Sequence, residues 1–220
     1  MIEENLIQVK KSIPNNVHLI AVSKTKPISL IREAYNTGHL DFGENKVQEL
    51  VNKQAELPKD IRWHMIGHLQ SNKVKYIAPF IHMIHGVESF KLLKEINKQG
   101  KKHNRVIKCL LQFHIAQETT KFGLSYQDAI AILEDELYPE LQNISICGVM
   151  GMATFSNDEA LVLKEFDSLK EIFTKLVAHS SITNDFKIIS MGMSNDYELA
   201  IQKGSNMVRI GSKIFGARIN

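Results

Sequence analysis

The stretch "HLIAVSKTKP", residues 18–27, runs four apolar residues into a serine and a lysine. Lysine is almost never fully buried without a role, so Lys24 at the end of an apolar strand needs explaining. Counting by two, Ile20, Val22 and Lys24 share one strand face. One reading is a strand-end lysine that snorkels to solvent. The chemical reading is an imine-forming lysine, because attack on a carbonyl needs a neutral amine and an apolar wall disfavours the ammonium.

A second constellation lies in "SMGMSNDYELAIQKGSNMVRIGSKIFG", residues 190–216. Two successive strand ends lead into small-residue turns, Met191 to Ser194 and Gly211 to Ser212. Glycine lets backbone approach an anion, serine adds a hydroxyl donor, and a helix opening at Ser194 or Asn195 turns free N–H groups toward it. Taken singly, Ser194 is also an ordinary helix cap and Gly211 an ordinary turn residue. Arg209 sits within the apolar strand "MVRI". A buried guanidinium needs an acceptor there, either a structural carboxylate or a ligand atom at the strand mouth.

Other candidates carry less. In "DFGENKVQEL", Asn45 follows a strand and could serve only as a helix cap. His64 and His68 are four apart and His82 and His85 three apart, but a strand-like setting and the lack of a convincing third ligand argue against a metal. Met150, Met152, Met191 and Met193 read as packing. The polar loop "AQETTKFGL" suits the rim of a binding mouth.

These residues need a scaffold that gathers strand ends. Short β-like runs alternate with helical ones along the chain: "HLIAVS", "LDF", "IRWHMI", "IHMIHG", "RVIKCLLQF", "ISICGVM", "FKIIS" and "MVRI". About eight βα units predict an α/β fold, a single (β/α)8 TIM-type barrel over 1–220 with an extra N-terminal helix over residues 2–12. An open doubly wound sheet is the alternative, and in both architectures ligands gather at the carboxyl ends of the strands. Capping spacing at Ser125/Asp128, Ser156/Glu159 and Asn195/Glu198, and glycines at 38, 100 and 204, predict helix starts and stops.

With 27 basic against 24 acidic residues the net charge is +3 and scattered, which gives no case for nucleic acid or a membrane surface. The opening "MIEENLIQVKK" has neither the basic start nor the apolar run of a signal peptide. Cys109 and Cys147, each inside an apolar run, read as reduced thiols, and the expected compartment is the cytoplasm.

Taken together, "AVSKTKP", "FGENKVQE", "WHMIGHLQSNK", "IAQETTKFGL", "GVMGMATF" and "MGMSNDYELAIQKGSNMVRIGSKIFG" resemble, in order, the pyridoxal phosphate homeostasis proteins of the YggS/PROSC type. The resemblance implies a barrel like the N-terminal domain of alanine racemase with pyridoxal 5′-phosphate at its mouth. It implies that Lys24 forms the internal aldimine, that Ser194, Gly211 and Ser212 hold the phosphate with Met193 beside them, that Arg209 meets the pyridine nitrogen, and that Asn45 lies near the ring. Two departures are small: Glu88 stands in "GVESF" where aspartate is common, and Ser212 and Lys213 form a variable pair. The implied role is a monomeric carrier or regulator of the cofactor, without substrate turnover, handing it to enzymes that require it. A racemase-like enzyme is the alternative. It lacks an opposing tyrosine from a following β-rich domain, because the chain ends at Asn220 soon after the last unit. An imine-lysine aldolase is disfavoured because "ISICGVMGMATF" has no lysine.

Overall fold

The computed structural model describes residues 1–117 and 122–217. Eight parallel strands close into a barrel in sequence order. They are β1 (His18–Val22), β2 (Asp41–Glu44), β3 (Arg62–Met65), β4 (Met83–Val87), β5 (Ile107–Phe113), β6 (Ile144–Gly151), β7 (Ile188–Met193) and β8 (Met207–Ile210). Closure is made by β1 against β8, with Ile20 opposite Arg209 and Ala21 opposite Ile210. The closed barrel is therefore the architecture, and the open sheet is excluded.

The side chains divide as a closed parallel sheet requires. Ile20, Met83, Leu110, Cys147, Met150 and Met207 fill the barrel interior. A larger apolar layer, including Ala21, Phe42, Trp63, Leu111, Val149 and Val208, packs outward under the helices. Cys109 and Cys147 are both free and buried.

The extra N-terminal helix is present as α1 (Ile2–Ser12). Its spacing buries Ile2, Leu6 and Val9, and Glu3 and Glu4 at its start with Lys10 and Lys11 at its end suit the helix dipole. The remaining helices are α2 (Ile28–Asn36), α3 (Val47–Glu56), α4 (Val74–Ile77), α5 (Phe90–Lys102), α6 (Tyr126–Leu133), α7 (Glu159–Val177), α8 (Tyr197–Gln202) and α9 (Ser212–Phe215). Asn5 of α1 donates to the Ile214 carbonyl at 3.0 Å, so α1 covers the seam beside α9.

Ser125 and Asp128 form the expected capping box at α6. Two other caps differ. Asp158, not Ser156, caps α7, accepting from the Ala160 and Leu161 amides. Asp196, not Ser194 or Asn195, precedes α8, and its carboxylate accepts instead from the Met193 amide at 2.5 Å. Gly100 also differs: it lies within α5, where an added Cβ would meet the Asn143 carbonyl at 2.7 Å, and Asn104 at φ +52° turns the chain.

Candidate functional site

A cavity of about 480 Å³ opens at the carboxyl ends of the strands. Each singled-out residue lines it: Lys24, Asn45, Met193, Ser194, Arg209, Gly211 and Ser212. They come from the carboxyl ends of β7 and β8 and the turns after β1, β2, β7 and β8, so barrel closure is what brings them together.

Lys24 stands two residues past the end of β1, in a turn rather than in the strand itself, and is half-buried. Both of its chain neighbours are held by a charged cluster under the turn. The Ser23 hydroxyl donates to Glu44 Oε1 at 2.5 Å, and the Thr25 amide donates to Glu49 Oε1 at 2.6 Å. Lys53 Nζ ties the cluster, donating to the Ser23 carbonyl at 2.8 Å, to Glu44 Oε1 at 2.8 Å and to Glu49 Oε1 at 2.6 Å. Glu44 and Lys53 are both buried, and burial raises the Glu44 pKa against the pull of Lys53. Thr25 has φ +64°, a left-handed conformation that a β-branched residue adopts only under constraint.

Two other lysines near the mouth are engaged, Lys26 within the cavity wall itself. Lys26 Nζ donates to the Gly216 and Ala217 carbonyls at 3.0 and 2.8 Å. Lys213 lies over the Tyr197 ring at 4.5 Å, within 3.8 Å of Glu198.

At the far wall a bulge in β7 decides which methionine reaches the cavity. The pairing with β8 shifts register between Ser190 and Met193, and Gly192 adopts φ +94°. A Cβ on Gly192 would meet the Ala200 Cβ at 2.6 Å. The shift sends Met191 into the outer layer and Met193 into the mouth. Among the four methionines, Met150 and Met191 are packing, as expected, whereas Met152 and Met193 line the cavity.

The Ser194 hydroxyl accepts from the Gly211 amide at 3.1 Å, joining the two small-residue turns. Ser212 opens α9, so its amide and that of Lys213 have no preceding helical turn to bond. Arg209 is 3% exposed on the inward face of β8. Its Nη1 donates to Ser190 Oγ at 2.7 Å and its Nη2 to the Gly151 carbonyl at 3.0 Å. Burial draws its pKa down to about 10, which leaves a cation at neutral pH.

His64 and His68, four apart in the sequence, separate in the fold. His64 and His85 are buried inside the barrel, whereas His68 sits outside at 2.7 Å from Glu88, stacked on Phe122. Among the described residues no group of three His, Cys, Asp or Glu side chains could hold a metal. Part of "AQETTKFGL", residues 118–121, lies outside the described residues.

Several lining residues carry no chemical signal in the sequence, among them Ile66, Gly67 and Phe155. Gly67 is traceable only through packing: an added Cβ would stand 2.6 Å from the Asn45 carbonyl. Ser190, which anchors Arg209, looks like any small strand residue.

Pyridoxal phosphate, the ligand that the resemblance implies, can be tested against this geometry. Asn45 Oδ1 is buried without a hydrogen-bond partner among the described residues, at the edge of the cavity. A ring hydroxyl would satisfy it, and the cavity has the size of a site for one small ring bearing a phosphate. The residues present fit that cofactor.

The sequence profile described as "Alanine racemase, N-terminal domain" matches residues 1–219. A pyridoxal phosphate homeostasis protein of Aquifex aeolicus is 37% identical over 205 residues, covering 93% of this chain and 88% of that one. PipY of Synechococcus elongatus, a COG0325 family member solved without PLP, superposes with a TM-score of 0.91 at 34% identity, covering 98% of this chain and 100% of PipY. The structure of PipY with PLP bound gives 0.86 at 33% identity over the same shares. Among the described residues no helix is long and apolar enough to cross a membrane.

Proposed function

The chain belongs to the pyridoxal phosphate homeostasis proteins, within the family of the alanine racemase N-terminal domain, and from that membership we propose that it binds pyridoxal 5′-phosphate at the barrel mouth. It acts there as a carrier or regulator of the cofactor in the cytoplasm, as a single-domain monomer, and turns over no substrate. Enzymes that require the cofactor are its recipients. The observation that carries this reading is the convergence of four strand-end turns on one cavity around half-buried Lys24 and buried Arg209.

Each residue then has a task. Lys24 supplies the amine that condenses with the cofactor's aldehyde, with release of water. Ser194 and Ser212 offer hydroxyls to the phosphate, Gly211 keeps that corner free of a side chain, and Met193 packs beside it. Asn45 meets the ring hydroxyl, and Arg209 donates to the pyridine nitrogen.

Bound to an enzyme, this cofactor supplies an electron sink for carbanions, and a protonated pyridine nitrogen strengthens that sink. A full positive charge in hydrogen-bonding contact opposes that protonation by about 4 kcal/mol, on the order of three pK units, at an effective dielectric of about 20. Arg209 thus leaves the ring a weaker electron sink, which suits a carrier.

The test is the spectrum of the purified protein, followed by borohydride reduction and peptide mapping. The expected result is a visible absorption band and a single reduced adduct on Lys24. A label on Lys26 or Lys213, or a protein that takes up no pyridoxal phosphate on titration, overturns the reading.

A further inference from the structure

A line of polar side chains crosses the barrel interior, and of its members only Arg209 lines the cavity. His64 Nε2 lies 3.1 Å from Asp41 Oδ1. His64 Nδ1 lies 3.0 Å from His85 Nε2, and His85 Nδ1 lies 3.3 Å from Ser190 Oγ. Ser190 Oγ accepts from Arg209 Nη1 at 2.7 Å. The line starts on β2, β3 and β4, crosses the lumen, and ends on β7 and β8. His64, His85, Ser190 and Arg209 are all buried, while Asp41 reaches the opposite rim, where Arg62 Nε donates to it at 2.7 Å.

The chemistry at the two ends fixes every proton between them. A guanidinium only donates and a carboxylate only accepts. His64 can meet the Asp41 carboxylate only by donating from Nε2, so its Nδ1 accepts. The Ser190 hydroxyl, which accepts from Arg209 Nη1, gives its own hydrogen to His85 Nδ1. His85 then carries its hydrogen on Nε2 and donates to His64 Nδ1, and His64 donates from Nε2 to Asp41. Reversing any link would turn two lone pairs or two protons toward each other, unless a histidine were charged. Burial pushes both histidine pKa values down, and Arg62 with His64 holds the Asp41 carboxyl well below the usual range. Each neutral link therefore turns its negative end toward Arg209 and its positive end toward Asp41.

We propose that Asp41, His64, His85 and Ser190 form one polarised hydrogen-bond relay that runs through the barrel and positions Arg209 as an obligate donor at the floor of the ligand cavity. Its consequence for specificity rests on the function proposed above: the atom that meets Arg209 must be an acceptor, which selects the unprotonated form of the pyridine ring. The relay itself needs no ligand.

The experiment uses the full-length protein, labelled with ¹⁵N-histidine and free of cofactor. Long-range proton–nitrogen correlation should show His64 and His85 as the neutral Nε2–H tautomer at neutral pH. In Asp41→Asn, an end group that can donate as well as accept, both rings should become tautomer mixtures, including His85, which does not touch position 41. Asp41→Glu should restore the single tautomer. An Nδ1–H or doubly protonated ring in the wild type overturns the relay, as does an unchanged His85 in a folded Asp41→Asn variant. Pyridoxal phosphate affinity should fall about tenfold in Asp41→Asn, the equivalent of one modest hydrogen bond, and recover in Asp41→Glu. An unchanged affinity overturns the positioning role. A wild type that binds no pyridoxal phosphate contradicts the proposed function instead, and the tautomers still decide the relay.

Discussion

Ser194 accepts the Gly211 amide at 3.1 Å, so the turns that follow β7 and β8 are already one unit. That bond spends the Gly211 N–H within the protein. The glycine's service to an anion is then the space it leaves: a Cβ there would come within 3.1 Å of the Val22 carbonyl and crowd the base of the cavity. The Ser194 hydroxyl proton remains the donor.

Ser194→Ala should therefore remove a phosphate donor and loosen the Gly211 turn together. One charge-assisted hydrogen bond is worth about 1.5 to 3 kcal/mol, so pyridoxal phosphate affinity should fall roughly 10- to 150-fold. Pyridoxal without phosphate should bind weakly and equally to both proteins. Equal affinity of the wild type for the two ligands, measured by titration, would remove the cradle from this site.

Arg209→Glu places an acceptor where the wild type places a donor. The variant should keep the visible band but gain slow deuterium uptake into alanine and slow formation of pyridoxamine phosphate, because the ring can then be protonated. Brisk exchange in the wild type that disappears in the variant would identify Arg209 as a catalytic residue.

Lys53→Met should uncouple the cluster beneath Lys24. Removing one partner of a buried ion pair costs about 3 to 5 kcal/mol, which for a chain of this size corresponds to a fall in Tm of roughly 6 to 20 °C. Glu44, whose pKa burial already raises, would then be more easily protonated. A raised carboxyl pKa gives stability below the unfolded value and loses it as pH rises through the folded value. The loss should accordingly be larger at pH 8 than at pH 5, read by thermal melts.

Acid should weaken the fold before the carboxylates titrate. Burial lowers the pKa of both His39 and His82 from 6.5 to about 4. A depressed histidine pKa means that protons favour the unfolded chain, so this stability is present above pH 6.5 and drains away as pH falls to about 4. His39 Nε2–H donates to the Asp41 carbonyl at 2.9 Å, and His39→Gln can keep that contact. The variant should show a shallower decline of Tm across this window, and an identical slope would remove His39 from the account.

The barrel, its extra helix and the residues around the mouth were legible because they rest on local signals. Alternating apolar runs mark strands, and a lysine or arginine in such a run marks an unpaid desolvation cost. The errors arose where several local choices were equivalent. Ser156 and Asp158 can each cap the same helix, and only the fold selects Asp158. Gly100 looks like a helix stop, yet it is required by the approach of the Asn143 and Arg105 carbonyls from elsewhere in the chain. Lys53 is not singled out in the sequence, yet it is buried beneath the Lys24 turn. Ser190, His64 and His85 acquire meaning only across the lumen, a relationship that periodicity along one strand cannot register.

Pairing of β1 with β8 also sets when the site comes into existence. Lys24 and Arg209 approach from opposite ends of the sequence, and nothing shorter than the completed ring of strands holds them around one cavity. During synthesis the nascent chain therefore has a lysine but no pocket until β8 has docked. A ligand that requires both can stabilise only the finished barrel, by mass action, and does nothing for partly folded forms. Loading then reports completion: the colour of the bound cofactor would appear in refolding with the last strand, once the most sequence-distant strand pairing of the barrel has formed.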